Sequence, residues 1–338
     1  MVLSDFMLLT EGTKPRKNVF IIFNHSKKRP RLNKFLFIAI ISVLFYCCSG
    51  GGTNEPTDTA TSGTVNIIVD ESFQQLFDTQ IYTFHSLYPN AYVTAKYMAE
   101  TDALQQMIND SCKVVVMCRD LTKDERKSFE QKNIFPISTK IAEDAIALIV
   151  NPENTDSSLT IDKVKSILQG KDTLWNMINP KSKLGKINVV FDNAGSANER
   201  YMNDTLLKGS GFGKNVFAVK SNPEVIDYVS KNKNAIGFLS VNWISDRDDT
   251  VALNFLKKVN VLAIKKDDKS EGYQPFQAYI KTKDYPFCRD IYTINRQTRS
   301  GLGMGFVSFV AGEKGQLMIL KAGLVPAIAP TRMVRISY

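Results

Sequence analysis

From residue 64 onward, short β-branched runs alternate with stretches of helical spacing. Residues 65–69 read as a strand, 72–87 as a helix, 91–98 as a strand and 101–108 as a helix. A continuous apolar strand at 113–117 is followed by a charged helix at 122–132. A second continuous apolar run, at 145–150, leads into Asn151 and Pro152. There a second series begins, with helices at 161–168, 196–207 and 223–230 interleaved with strands at 187–191, 216–219 and 235–239. Strands at 259–264 and 290–294, then helices at 303–310 and 314–322, finish the chain. Strands alternating with helices build a mostly parallel sheet covered by helices. The expected class is α/β.

The two series fall on either side of Val150, and strands return near Val259. This division predicts a lobe made of residues 64–149 and 253–338 and a second lobe of residues 150–252. Two crossing strands would join them, and hinge motion would close them around a ligand.

The first 63 residues have a different pattern. Lys27, Lys28, Arg29, Arg31 and Lys34 precede an apolar run at 35–48, broken only by Ser42. That run is short for a bilayer span, which needs about 20 residues, and suits the apolar core of a signal peptide. Residues 49–63 are small and polar, the composition of a flexible tether. A cysteine between an apolar core and a polar tether resembles a bacterial lipoprotein signal. Cys48 is the better candidate for lipidation, because the residue before it, Cys47, is small, whereas Tyr46 before Cys47 is bulky. The plainer alternative is a signal anchor with two buried thiols. The expected location is the bacterial cell envelope, with a membrane-anchored lipoprotein facing the periplasm or the exterior.

Charge and composition then remove several classes. Residues 1–48 hold 8 Lys and Arg against 2 Asp and Glu, so two thirds of the formal charge of +9 sits in the leader. The body is nearly balanced, which argues against nucleic acid as a partner. Of two histidines only His85 lies in the body, so a multi-histidine metal site is ruled out and a Ser–His–Asp triad would need that residue. Cys112, Cys118 and Cys288 have no metal-site spacing and read as small buried hydrophobes. No metal or cofactor is expected. A length of 338 residues with 43% hydrophobic content suits two domains of ordinary size.

Several segments carry a family resemblance. DAIALIVNPEN (144–154) resembles the crossing strand of phosphate-type periplasmic binding proteins, and IDKVKSILQGKDTLWNMI (161–178) resembles the helix, Gly-Lys turn and tryptophan that follow it. VVFDNAGSANERYM (189–202) looks like the family's strand–loop–helix anion motif, and AIGFLSVNWI (235–244) its buried Ile-Gly-aromatic strand. YPFCRDIYTI (285–294) and SGLGMGFVSFVAGEKGQLMILKAGLVPA (300–327) are similar to its closing strand and helices. The similarity runs over nearly all of residues 64–327. The chain is identified on these segments as resembling the phosphate ABC transporter substrate-binding proteins, in a lipoprotein form. Gly301, Gly303 and Gly305 have no strand–turn–helix unit around them and read as a helix start, not a nucleotide loop.

The resemblance implies a two-lobed fold with three anion-binding corners, where hydroxyls and free helix amides meet an oxyanion. The first is Glu71, Ser72 and Phe73, with Ser72 also read as a plain N-cap. The second is Glu100, Thr101 and Asp102, where only Thr101 matches the family in kind and capping is equally open. The third is Gly195, Ser196, Ala197 and Asn198, matching the family's Gly-Ser-Gly-Thr. One departure matters: Asp192 stands where the family has an arginine, so either it accepts from a protonated ligand oxygen or it points away. The missing charge then falls to Arg119, with a surface ion pair as its alternative role and Arg200 as a weaker substitute. Cys118 stands where some relatives place an acceptor.

The expected function is non-catalytic capture of a small oxyanion, phosphate favoured, for an ABC transporter permease. The expected partners are that anion, the permease and a membrane reached through the lipid anchor, with the protein itself a monomer. An anion sensor or adhesin without transport keeps the same fold. A phosphomonoester hydrolase would want clustered metal ligands or an activated nucleophile that the body does not display.

Overall fold

A computed structural model describes residues 58–246, 248–297 and 300–330. The leader, Cys48 and most of the tether lie outside the described residues. Strand β1 (Gly63–Asp70) is followed by a 3-10 turn (Glu71–Phe73), helix α1 (Gln74–Leu87), β2 (Ala91–Met98), α2 (Glu100–Ile108), β3 (Val114–Met117) and α3 (Lys123–Glu130). Next come β4 (Ile137–Val150), β5 (Ser158–Thr160), α4 (Ile161–Leu168), α5 (Trp175–Ile178), β6 (Asn188–Phe191) and α6 (Ala197–Tyr201). A π-turn at Met202–Leu206 extends α6, and β7 (Val216–Ala218), α7 (Asn222–Lys231) and β8 (Ala235–Ser240) complete the second series. The remainder is α8 (Asn242–Ser245), α9 (Thr250–Leu256), β9 (Asn260–Val261), β10 (Ala263–Lys265), β11 (Gly272–Tyr273), α10 (Gln277–Thr282), β12 (Cys288–Asn295), α11 (Leu302–Ala311), α12 (Glu313–Lys321) and β13 (Val325–Pro326).

The main sheet runs β2-β1-β3-β12-β4-β8-β6-β7. Neighbours β1, β2 and β3 are parallel, as are β6, β7 and β8, while β12 is antiparallel to β3, β4 to β8, and β12 and β4 to each other. The class is α/β with a mixed sheet flanked by helices, as the patterning predicts.

The fourteen residues of β4 are well beyond the usual five or six of a strand, and their two ends have different partners. Residues 137–145 pair with β12, and residues 146–150 pair with β8. The crossing between half-sheets is therefore inside one strand. Only its second half is apolar on both faces and reads as a strand in the sequence; the first half is partly exposed and carries Lys140, Glu143 and Asp144. The return crossing lies beside it, where Ile146 donates to the carbonyl of Phe287 at 2.9 Å and Tyr285 Oη donates to the carbonyl of Ile146 at 2.6 Å. The strand signal near Val259 belongs elsewhere: β9 pairs with Ile149 and Val150, and β10 pairs with β5. Residues 260–265 thus hydrogen-bond within the second half, and β12 is the next strand to pair in the first half-sheet.

Close packing holds the second half together. Gly237 in β8 sits where a Cβ would come within 2.9 Å of Val225, Val229 and Ile149 side chains. That approach lets α7 lie flat on the sheet, and it explains the glycine between Ile236 and Phe238. In the first half, Phe77, Phe84 and Phe306 form edge contacts at 5.3–6.3 Å between α1 and α11. The end of the tether is tied down here: Asp58 Oδ1 accepts from Leu302 N at 2.7 Å, capping the glycine-flanked start of α11.

Candidate functional site

Parallel strands of both halves end against the junction, the position at which open α/β sheets hold ligands. β1 delivers Asp70, Glu71 and Ser72, β2 leads into Glu100 and Thr101, β3 into Cys118 and Arg119, and β6 into Asp192 through Asn198. Hydrogen bonds join the two banks. Thr101 Oγ1 donates to the carbonyl of Gly195 at 2.5 Å. Glu71 accepts from Asn193 Nδ2 at 3.1 Å and from Asn222 N and Nδ2 at 3.2 and 3.1 Å. Arg200 Nε donates to Glu100, and Asn242 Nδ2 donates to the carbonyl of Ser72 at 3.1 Å.

Between the banks lies a cluster of buried polar atoms without partners. Ser72, Asp192, Asn198 and Asn222 are all at most 1% exposed. Ser72 Oγ, Asp70 Oδ2, Asp192 Oδ1, Asn198 Oδ1, Asn222 Oδ1 and Arg289 Nη1 have no hydrogen-bond partner among the described residues. Leaving such groups dry and unpaired costs of order 1–3 kcal/mol each, so a concentration of them marks a place built for something else to pair with. Asn198 and Asn222 both aim their amide nitrogens at Asp192 Oδ2, at 3.0 and 3.2 Å, which turns their carbonyl oxygens away as free acceptors.

The full positive charge in this cluster is Arg289, at the start of β12. Its Nε donates to Asp144 Oδ2 at 2.9 Å, Nη2 lies 2.8 Å from the same oxygen, and the guanidinium rests 5.9 Å from the Phe73 ring centroid. Arg119 has other partners. Its Nη1 and Nη2 form a fork on Glu125 at 2.8 Å each, and Nε is 3.5 Å from Glu100. Arg200 is held by Glu100 and lies near Asp204.

Burial acts on the carboxyls that no cation claims. Asp70 is pushed up to about 7 by desolvation and then by Glu100, against the opposing pull of Arg289. Glu71 also rises to about 7, through desolvation and the nearby Asp192. Asp192 is raised by desolvation, while the Ser196 hydroxyl and Arg289 favour its ionised form.

Of the residues expected from the sequence, Ser72, Phe73, Ser196, Ala197 and Asn198 are buried at this junction and Gly195 meets Thr101 across it. Ser196 caps α6, its Oγ accepting from Glu199 N at 3.2 Å while its O–H stays available to donate; Gly195 N donates to Glu199 at 2.7 Å, so that donor is already used. Gly195 has φ +76°, the left-handed region that favours glycine. Asp192 does not point away; it is in the centre of the cluster. Asp70, Asn222 and Arg289 are additions, and Glu71 of the first corner turns out to bond across the junction. Arg289 and Asp144 carry opposite charges on two strands, and the β12–β4 register brings them directly opposite.

Asp70, Glu100 and Cys118 place possible metal-ligand atoms within 4.8 Å of one another. Glu100 is already bonded to Cys118 N and Arg200, burial holds the Cys118 thiol protonated, and Arg289 acts on both Cys118 and Asp70. That set is compensated by arginines and is not read as a metal centre. Open cavities of about 490 and 500 Å³ lie elsewhere, beside Val241 and Phe276 and beside Leu76 and Met318. The first shares no residue with the cluster and the second shares only Asn242, and neither gathers orphaned donors.

An α/β fold with buried polar groups where two half-sheets meet is the architecture of solute receptors. The PBP superfamily domain matches residues 54–314, and the chain belongs to that family. Among its relatives, the phosphate-binding protein PstS of Borreliella burgdorferi is 22% identical over 299 residues, covering 86% of this chain and 96% of that protein. PstS of Staphylococcus aureus is 27% identical over 206 residues, 59% of this chain and 58% of that one. The fold is similar to that of a proposed phosphate ABC transporter substrate-binding protein from Clostridium perfringens with bound phosphate, at TM-score 0.66 and 21% identity over 79% of this chain and all of that one. It is also similar to an ABC-type phosphate transport receptor from Vibrio cholerae, at TM-score 0.59 and 20% identity over 78% of this chain and all of that one.

Proposed function

We propose that this protein is a non-catalytic receptor that captures a small oxyanion, phosphate in the first instance, for import by an ABC transporter. The observation that carries the reading is the buried cluster around Arg289, Ser72 and Asp192, where the unpaired groups come from both banks of the junction. A ligand that pairs with both banks favours their closure, which is the signal a permease would read. Binding without turnover fits the chemistry present. His85 accepts from Val93 N at 2.8 Å, in the α1–β2 region, and the cleft thiol of Cys118 is driven well above its ordinary pKa by burial. In this reading the protein is a monomer tethered through Cys48 to a bacterial membrane; among the described residues no helix is long and apolar enough to cross one.

Calorimetric titration of the full chain in detergent against phosphate, sulfate and molybdate tests the ligand. Saturable one-to-one binding of phosphate is expected; binding of none of the three would refute the reading. For the anchor, Cys48→Ser is expected to release the protein from the membrane fraction or leave its precursor uncleaved. If the variant stays processed and membrane-bound, Cys47 or an uncleaved span is responsible.

A further inference from the structure

We propose that anion capture in this cleft is coupled to proton uptake, with Asp192 as the residue that imposes the coupling. The inference rests on the oxyanion reading above and specifies which protonation state the site accepts.

The argument begins with the distribution of charge. Each cation near the junction already has a carboxylate: Arg289 has Asp144, Arg200 has Glu100, and Arg119 has Glu125. Asp70, Glu71 and Asp192 have none. The groups facing Asp192 are Ser196 and Asn198 of the α6 loop, Asn222 of α7, Glu71 and Asp70 from the end of β1, and Arg289 from β12. Those facing Asp70 are Ser72, Glu71, Glu100, Cys118, Asp192 and Arg289. Among the described residues Arg289 is the cation that acts on both carboxyls, and Asp144 already offsets it.

A fully ionised anion placed here would meet uncompensated negative charge in a buried site, where repulsion is poorly screened. The unpaired atoms point the same way. Asp70 Oδ2, Asp192 Oδ1, Asn198 Oδ1 and Asn222 Oδ1 can only accept hydrogen bonds while the carboxyls are ionised, so four acceptors stand in the cluster beside the donors Ser72 Oγ and Arg289 Nη1 and Nη2. A ligand without hydrogens leaves most of those acceptors unpaired. Each added proton removes one negative charge and converts one acceptor into a donor, whether it resides on a ligand oxygen or on a carboxyl. Phosphate suits this because its second ionisation lies near neutrality and it can arrive with two O–H groups. The asparagines that fix Asp192 Oδ2 keep Oδ1 presented, so this carboxyl is not free to swing out of the way.

The experiment is calorimetric titration of the full chain with inorganic phosphate at pH 5.5, 6.5, 7.5 and 8.5. At pH 7.5 it is repeated in buffers of differing ionisation enthalpy. The inference expects an apparent Kd that rises about tenfold per pH unit above neutrality. It also expects an observed enthalpy that varies with the buffer in the sense of proton uptake by the complex. Asp192→Asn, which keeps the shape and removes the charge, is expected to reduce that uptake and to tighten phosphate binding at pH 8.5 by about tenfold. Phosphate binding with a flat Kd and no buffer dependence overturns the coupling and leaves the receptor reading standing. Binding at none of the four pH values overturns both. The wild-type series decides the coupling even if the variant fails to fold, and Asp192→Asn with unchanged proton uptake would take the role away from Asp192.

Discussion

Arg289 and Asp144 face each other across the β12–β4 ladder at the crossing between the two half-sheets, both side chains at most 1% exposed. The pair therefore belongs at once to the hinge and to the ligand cluster, since Nη1 of the same guanidinium remains unpaired. A charge that closes an ion pair and still presents a donor is fixed in place before any ligand arrives.

Substitution of this arginine is expected to separate those two roles. Arg289→Ala leaves Asp144 buried without its partner, a change that costs about 3–5 kcal/mol of stability in comparable pairs. Arg289→Lys keeps the charge and loses the fork, so it should fold while binding phosphate roughly tenfold more weakly, about 1.4 kcal/mol. Thermal denaturation and calorimetry on both variants check this; full affinity in Arg289→Lys would remove Arg289 from the site.

Arg119 should behave differently. Its guanidinium is occupied by Glu125 and Glu100 and helps hold the start of α3, where Thr122 and Glu125 form a reciprocal cap. Arg119→Ala is expected to lower stability by about 1–2 kcal/mol, as charged hydrogen bonds are lost, and to change phosphate affinity by less than about threefold. A tenfold loss of affinity without a change in melting temperature would return the cationic role to Arg119.

The contrast between these arginines shows what the sequence made legible. The order of strands and helices and the half-sheets around 145–150 follow from local periodicity and capping, and the corner at Ser196 from the family resemblance. Arg289 does not, because its role depends on β12 crossing back between β3 and β4, a pairing more than 140 residues distant along the chain. The return into β12 was hidden for a similar reason. Strands β9 and β10 are apolar enough to suit either half, and only register assigns them to the second. Asp192 was visible as a departure; that it faces inward required Asn198 and Asn222 in space.

Gly195 and Thr101 offer a test of the contact across the cleft. A Cβ at Gly195 would lie 2.6 Å from Thr101 Oγ1, on a residue whose φ is already +76°. Gly195→Ala is expected to cost about 1–2 kcal/mol through the left-handed backbone and to weaken phosphate binding severalfold by spreading the banks. In a Thr101→Ala background the clash is relieved and the backbone cost remains, so the two substitutions should be less than additive. Strict additivity of their effects on binding would show that the contact does not bear on closure.

The carboxyls also set how ligand-free stability depends on pH. Asp70 and Glu71 have folded-state pKa values raised to about 7, so the folded protein holds their protons more tightly than the unfolded chain does. Their contribution is fully present below about pH 4, the unfolded carboxylate range, and is lost as pH rises through about 7. Asp110, Asp120, Glu125 and Glu143 are lowered, chiefly by hydrogen bonds to Lys113, Ser138, Arg119 and Lys283, and act in the opposite sense. Their contribution is present above about pH 4 and lost as pH falls through their folded values. The two sets together predict a melting temperature highest near pH 5 and declining toward pH 8 in phosphate-free buffer. Thermal scans at single pH steps from 4 to 8 measure it directly. A melting temperature that climbs steadily to pH 8 would mean that Asp70 and Glu71 ionise in the folded protein at no cost, and that the cleft carries more positive charge than Arg289 supplies.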